Sequence, residues 1–414
     1  MYDAPVVQNV VIDKPYTFIP PDRGTFWARV LNGLFLRRRL RSHYGVHSYE
    51  LLGVERLRAS VTAGHGIVLA PNHCRPCDPM VLFPLGDAVG APIHVMSSWH
   101  AFMESRVHAW VLKRVGVFSV YREGLDREAL KCAIQILTEA RRPLVLFPEG
   151  SVSRSNDRLN HMMDGTIFIA RNAAKQRAAL ATPGKVVVHP VAIRYFFGGE
   201  IGPAIGPVLE EIERRLSWNP QIGRPMADRI VRVGAALLTL KEIEYTGQAQ
   251  SAPIGERLAR LIDHLLVPLE AEWLKGKREP ETIGRIKSLR AAIVPDMAAA
   301  KVDEAERARR WRQLADIYLA QQLACYPPHY VAGTPTPERL LETVERFEED
   351  LTDKVRVHGP LHAVVEVGEA IEVPPGRDRG SEGEPMMVDV RRSIETMLER
   401  LRARRPAGPF RNNA

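Results

Sequence analysis

The sequence predicts an α/β fold, with a mostly parallel central sheet flanked by helices and an inserted α-helical subdomain. Three observations carry that expectation. Between Gly66 and Phe197 short apolar runs alternate with helical stretches, the pattern of β-α-β units. From about Pro207 to Asp350 long charged helical patterns take over, with few β-branched runs. His362–Val373 then returns to strand-like alternation through Ala363, Val364, Val365, Val367 and Ile371.

Taken in order, residues 1–25 are proline-dotted and aperiodic, which predicts an extended arm. From Phe26 to Tyr44 the bulky residues Phe26, Trp27, Val30, Leu31, Leu34 and Phe35 recur at helical spacing, interleaved with Arg29, Arg37, Arg38, Arg39 and Arg41. This is a basic amphipathic helix, suited either to a lipid headgroup layer or to packing on the domain with its arginines in water. Strands are expected at Ile67–Ala70, Ile93–Ser97, Val117–Tyr121, Leu144–Phe147 and Val186–Ile193, and helices at Glu104–Val115, Asp126–Ala140 and Gly165–Lys175. Further helices are expected at Ala227–Glu242, Ile254–Lys275 and Val302–Leu323. A Gly/Pro/charge loop over Pro374–Pro385 and a basic amphipathic helix over Val388–Arg405 close the chain. The resulting division is 1–47 arm and basic helix, 48–206 core, 207–352 helical insert, 353–405 a strand and helix completing the core, and 406–414 a frayed tail.

Composition narrows the function. The chain has 414 residues, 45% of them hydrophobic, enough for a large core. Its 57 Lys and Arg against 49 Asp and Glu leave a formal charge of +8, which favours an anionic partner such as phospholipid, nucleic acid or a phosphorylated substrate. No window approaches the ~20 apolar residues of a spanning helix, and the N-terminus has no signal-like apolar core. The expected location is cytoplasmic, peripheral on the inner face of a membrane. Four cysteines are too few to staple a chain of this size.

Every residue able to do chemistry falls at a strand end, where open α/β sheets bind ligands. His73 follows Ile67–Ala70 by a short loop, and Asp78-Pro79 is a helix-start signature. If the loop turns back, Asp78 reaches the imidazole, holds one ring nitrogen protonated and leaves the other to take a proton from a hydroxyl. The plainer alternative is that His73 ends a strand and Asp78 merely caps a helix. Phe147-Pro148-Glu149-Gly150-Ser151 is a tight turn that projects a carboxylate, with Ser153 and Arg154 close behind. Arg122 follows Val117–Tyr121 and could clamp a phosphate. Pro190 interrupts a strand, which is unusual away from an edge or bulge.

Together these elements resemble the four blocks of the glycerolipid acyltransferase family that includes the lysophosphatidic acid acyltransferases. N-H-x4-D is matched by Asn72, His73 and Asp78, the strand ending in Arg by Gly116–Arg122, F-P-E-G-[ST] by Phe147–Ser151, and V-x-P-[VI] by Val188–Val191. The resemblance spans roughly residues 48–197. It implies a glycerol-phosphate acyltransferase-like core and a direct, cofactor-free transfer. His73, oriented by Asp78, deprotonates an acceptor hydroxyl that attacks the thioester of acyl-CoA or acyl-carrier protein. It also implies a substrate-binding role for Asn72, Arg122, Glu149, Gly150, Ser151, Arg154 and Pro190, a lipid acceptor, no metal, and peripheral membrane contact through residues 26–44. Two departures stand out. Val152 occupies the place where the family commonly has Arg, so the phosphate contact has moved to Arg154 or been lost. Residues 207–352 intervene before the last strand pattern, which the family places soon after the fourth block.

Rival readings are few. Cys74 and Cys77 form a C-x-x-C, but no second cysteine pair supports zinc, and a redox role leaves the other three blocks unexplained. A catalytically dead scaffold conflicts with the intact His73 and Asp78, and an acyltransferase acting on a non-phosphorylated lipid stays open. No helix-turn-helix, RNA-binding signature or paired metal-binding motif supports nucleic acid.

Overall fold

The computed structural model describes residues 14–217, 219–352, 354, 356–376 and 385–404. Expectations for residues 1–13, for most of the 374–385 loop and for the tail from 405 lie outside the described residues. The described part of the arm is not free. Ile19 and Ser119 exchange hydrogen bonds (2.8 and 3.1 Å), and Tyr16 stacks on Tyr121 while donating to Asp126 at 2.6 Å. The helical stretch that follows runs as α1 (Phe26–Leu31), a π turn (Asn32–Leu36) and α2 (Arg37–Tyr44).

The core then alternates as predicted. Its elements are β1 (Val46–Leu52), α3 (Val54–Thr62), β2 (Gly66–Pro71), α4 (Asp78–Ala88), β3 (His94–Ser98), α5 (Trp99–Met103), α6 (Arg106–Val115) and β4 (Val117–Val120). They continue through α7 (Arg127–Glu139), β5 (Leu144–Val145), α8 (Gly165–Ala178) and β6 (Val186–Phe197). The helix expected over 104–115 begins two residues later, at Arg106, because Ser105 Oγ caps it by accepting from His108 N–H at 3.1 Å, and the short α5 that precedes it was not expected. The strand expected over 144–147 stops at Val145, because Pro148 and Gly150 turn the chain away.

Six helices follow: α9 (Ile201–Ser217), α10 (Met226–Thr246), α11 (Ile254–Leu274), α12 (Thr282–Ala298), α13 (Glu304–Ala324) and α14 (Pro337–Thr352). Then come β7 (Leu361–Val367), β8 (Ile371–Glu372) and α15 (Pro385–Ala403). The expected boundary at 47/48 falls inside β1, and that at 206/207 falls inside α9. Strand order among the described residues is β1-β7-β6-β2-β5-β3-β4, with β8 also on β6. Only the β6 pairings with β7 and β8 are antiparallel. The fold is therefore α/β, a mostly parallel sheet flanked by helices.

All twelve residues of β6 are buried, and its side chains divide by parity. Val187, Val191, Ile193, Tyr195 and Phe197 face the cluster built with α4, α9 and α14, whereas Val186, Val188, Ala192 and Phe196 face α7, α8 and α15. Each large apolar side chain so covered contributes about 1.5–3 kcal/mol. Pro190 sits inside this central strand, not at an edge. Its open side faces the break where β6 changes partner from β8 to β7, so the missing N–H deprives no ladder neighbour, and its carbonyl accepts from Gly368 N–H at 2.8 Å. Helices α10 to α13 share a separate core centred on Leu261, Leu265, Leu289, Ile293 and Ile317. Helix α14 instead places Leu340, Leu341, Val344 and Phe347 in the sheet's own core.

Candidate active site

The loop from β2 to α4 does turn back. His73 Nδ1 lies 2.8 Å from Asp78 Oδ2, so an Nδ1–H donates to the carboxylate and Nε2 is left as the basic nitrogen. Asp78 is fully buried, a position a carboxylate holds only when its lone pairs are filled. Arg75 N–H donates to Oδ2 at 2.9 Å and Tyr195 O–H to Oδ1 at 2.7 Å. The imidazole retains partial exposure and stacks on Phe147 with ring centroids 4.0 Å apart.

The backbone of His73 is fixed at both ends. Its N–H donates to Glu149 Oε1 at 2.7 Å, and its carbonyl accepts from Ser153 N–H at 2.6 Å. Glu149 is buried and also accepts from Asn160 N–H at 3.0 Å. Burial outweighs those two donors and pushes its pKa up to about 7. Asn72 is buried, with its amide accepting from Ile193 N–H (2.7 Å) and donating to the Ile193 carbonyl (3.0 Å), which extends the β2–β6 ladder by one rung. Arg122 donates to the Gly150 carbonyl. Gly150 has φ +67°, and a Cβ there would collide with Met163 Cε, so the turn requires glycine. Residues of the first three blocks are thus in direct contact, and Pro190 of the fourth stands opposite Ala70 in register.

The polar groups of Asn72 and Glu149 point into the protein, and Arg154, at φ +57°, pairs with Glu349 of α14. Ser151 lies nearly buried in the same turn. The side chains of Asn72, Glu149 and Arg154 therefore hold the loops around His73, and Arg122 is the part-buried cation beside them. The thiols of Cys74 and Cys77 are buried, and burial raises both, Cys77 to about 12, which opposes thiolate chemistry. Among the described residues no cluster of three or more His, Cys, Asp or Glu could hold a metal.

Several participants lie outside the residues singled out from sequence. Glu338, Glu342, Glu345 and Glu349 form a stripe along α14, at spacings of three and four, that faces the end of β6 and the loops at 72–78 and 150–156. Glu338 accepts from Phe197 N–H (2.9 Å), Glu342 from Asn156 N–H (3.2 Å), and Glu345 pairs with the buried Arg75 at 3.0 Å. From α12, Lys287 Nζ reaches Met163 Sδ at 3.0 Å. Burial and then the charge of Arg122 lower the pKa of both Lys287 and Arg290, the latter to about 10. Three cations, with the buried carboxylate of Glu123 beside Arg122 and Arg290, therefore gather near the Gly150 turn.

Residues 50–194 match the family model described as Acyltransferase. The chain carries an acyltransferase-family domain. No curated protein matches the chain. The matched segment runs from β1 into β6 and contains all four blocks, so the acyltransferase domain holds His73, Asp78, Arg122, Glu149 and Pro190, while α12 and α14 come from outside it. The protein is an enzyme of the acyl-transferring class.

Proposed function

We propose that the enzyme moves a fatty acyl group from acyl-CoA or acyl-carrier protein to a hydroxyl of a lyso-glycerophospholipid-type acceptor. The observation that carries this reading is the His73–Asp78 pair, with a basic Nε2 at the sheet's carboxyl end inside an acyltransferase domain. Nε2 takes the acceptor's proton as its oxygen attacks the thioester carbon. The tetrahedral intermediate collapses, the carbon–sulfur bond breaks, and the imidazolium returns the proton to the departing thiolate. No acyl-enzyme forms, and the chemistry needs no metal or cofactor. Asp78 holds the tautomer and balances the imidazolium charge.

A phosphorylated substrate suits the cations Arg122, Lys287 and Arg290, whose charge the single buried carboxylate of Glu123 beside Arg122 and Arg290 offsets only in part. The family's usual arginine position is Val152 here, and Arg154 is engaged by Glu349, so α12 supplies the compensating charge.

Membrane contact belongs to the same proposal. Phe26, Leu34 and Phe35 are exposed on the basic N-terminal helices, and Trp27 packs on Trp110 of α6, which adds exposed Val107 and Trp110 to one apolar patch. No helix among the described residues is long and apolar enough to cross a membrane. The enzyme would then act peripherally, on the cytoplasmic face.

The test is transfer of labelled acyl groups from acyl-CoA and acyl-carrier protein to a panel of lyso-lipids with and without a phosphate. Wild type should acylate a phosphate-bearing acceptor, and His73→Ala should lower turnover by about two to four orders of magnitude. Equal turnover by both proteins would overturn the assignment.

A further inference from the structure

The helical insert and the loop before α14 form a half-open cavity of about 620 Å³ between α10, α11, α13 and α14, outside the acyltransferase domain. Most of its wall is aliphatic or aromatic, with Ile230, Leu237, Leu258 and Phe347 contributing. At roughly 30 Å³ for each methylene-sized group, close to the share of one water in the liquid, the space holds about 20 such groups. That matches one long hydrocarbon chain. An apolar space of this size, lined on one side by a connected polar cluster, is the usual form of a small-molecule site. The cluster consists of Tyr326, whose O–H donates to Asp350 (2.5 Å), Gln322, which donates to the same carboxylate (3.0 Å), and Arg346. Arg346 is buried, yet its Nε has no partner. The charged Lys241 and Glu256 at the wall are already paired with Glu244 and Arg260, so the cavity offers little to a polyanion.

The polar wall is also tied to the catalytic loop. Arg346 donates to the Arg154 carbonyl, one residue after Ser153, whose N–H holds the His73 carbonyl. Tyr330, another wall residue, donates to Glu342 (2.7 Å), which accepts from Asn156 N–H, and the Asn156 amide brackets the backbone of Tyr195 at 2.7 Å on both sides. Tyr195 in turn donates to Asp78.

We propose that this cavity binds a single long acyl chain, and that its occupancy steadies the 153–156 loop against His73 and Tyr195. The binding stands independently of the acyl-transfer reading; the effect on the loop rests on it. Two sources share the chemistry, the substrate's own chain and a separate fatty acid.

The full-length protein is titrated with cis-parinaric acid, a fluorescent fatty acid, with palmitate as competitor. One saturable site is expected, displaced by palmitate. Gly234→Leu should lower affinity at least tenfold, since a Cβ there already meets Phe347 Cζ at 3.2 Å and the longer side chain enters the cavity. Leu319→Trp, from the opposite wall, should do the same, so the result does not depend on one variant folding. His73→Ala should bind as wild type, which reads the cavity even if no acyl transfer is detected. Wild-type affinity in both cavity variants, each folded by circular dichroism, overturns the proposal. So does the absence of saturable binding. Acceleration of butyryl transfer by palmitate marks a separate fatty acid, whereas displacement of parinarate from His73→Ala by long-chain acyl-CoA, with no such acceleration, marks the substrate's own chain.

Discussion

Tyr195 shows how much of the site is made by residues outside the four sequence blocks. Its hydroxyl donates to Asp78 Oδ1 from the end of a strand that the sequence predicts only as far as Ile193, and no spacing rule links it to the N-H-x4-D run. Tyr195→Phe keeps the ring and removes that donor. A hydrogen bond to a charged group is worth about 1.5–3 kcal/mol, so kcat should fall roughly 10- to 100-fold with KM little changed, as steady-state kinetics will show. Asp78→Asn should cost more, about three to four orders of magnitude in kcat, because an amide no longer fixes the Nδ1–H tautomer. Glu149 carries a pH signature. Its folded pKa of about 7 stands above the ordinary 4.5, so its contribution to stability is complete below pH 4.5 and is lost as pH rises through 7. Wild type should therefore lose melting temperature relative to Glu149→Gln between pH 5.5 and 8. A constant difference across that range would place the titration elsewhere. His73, Asp78 and the turn at Glu149 were readable because each lies in a compact local motif. The inward aim of Asn72, Glu149 and Arg154 was not, since it depends on which distant backbone each loop meets.

Among the elements, α14 departs furthest from the sequence reading. Its charged pattern places it with the helical insert, whereas its apolar stripe packs in the sheet core and its glutamates brace the catalytic loops. The sequence marks this region only as part of a charged helical stretch and singles out neither stripe, because what each faces is decided by tertiary packing. The long repetitive segments, α10, α11 and α13, were legible, as were β2, β3, β4 and β6. Strand β1 and the short helix α5 were not, because tertiary pairing and one capping serine decide them. The Arg75–Glu345 pair is buried, and removing one partner of such a pair typically costs about 3–5 kcal/mol. Glu345→Gln should lower the melting temperature and reduce kcat as well, since Arg75 N–H is a donor to Asp78. Replacing the pair together, Arg75→Met with Glu345→Leu, should recover only part of the stability, measured by thermal unfolding, since Arg75 also pairs with the buried Glu342 and Glu345 also accepts from His358 N–H. Adding Glu342→Gln to the double variant should recover more, and no gain on that addition would show that Glu342 is not the group left unbalanced.

On the scale of the whole molecule, the exposed aromatic patch of α1, the π turn and α6 lies on the domain that carries His73. Binding to anionic vesicles should weaken as salt rises, since a Debye length of about 10 Å at 0.1 M screens the arginines. Phe26→Ser, Phe35→Ser and Trp110→Ser together should lower vesicle binding at least tenfold while leaving transfer from a soluble short-chain donor unchanged. Undiminished binding by this variant would remove the patch from the proposal.

The pairing of β6 with β7 sets a condition on how the chain is made. While a ribosome adds residues 198 to 360, β6 has β2 on one side and nothing on the other, for roughly 10–30 s at about 5–20 residues per second. For that interval a long apolar strand presents unpaired backbone to any neighbouring nascent chain, the situation that invites aggregation. The insert thus sets the length of that interval. Chains released after residue 352 should collect in the insoluble fraction, and shortening the insert by excising 254–324 from the full-length gene should shorten the time for which nascent chains bind a holdase chaperone.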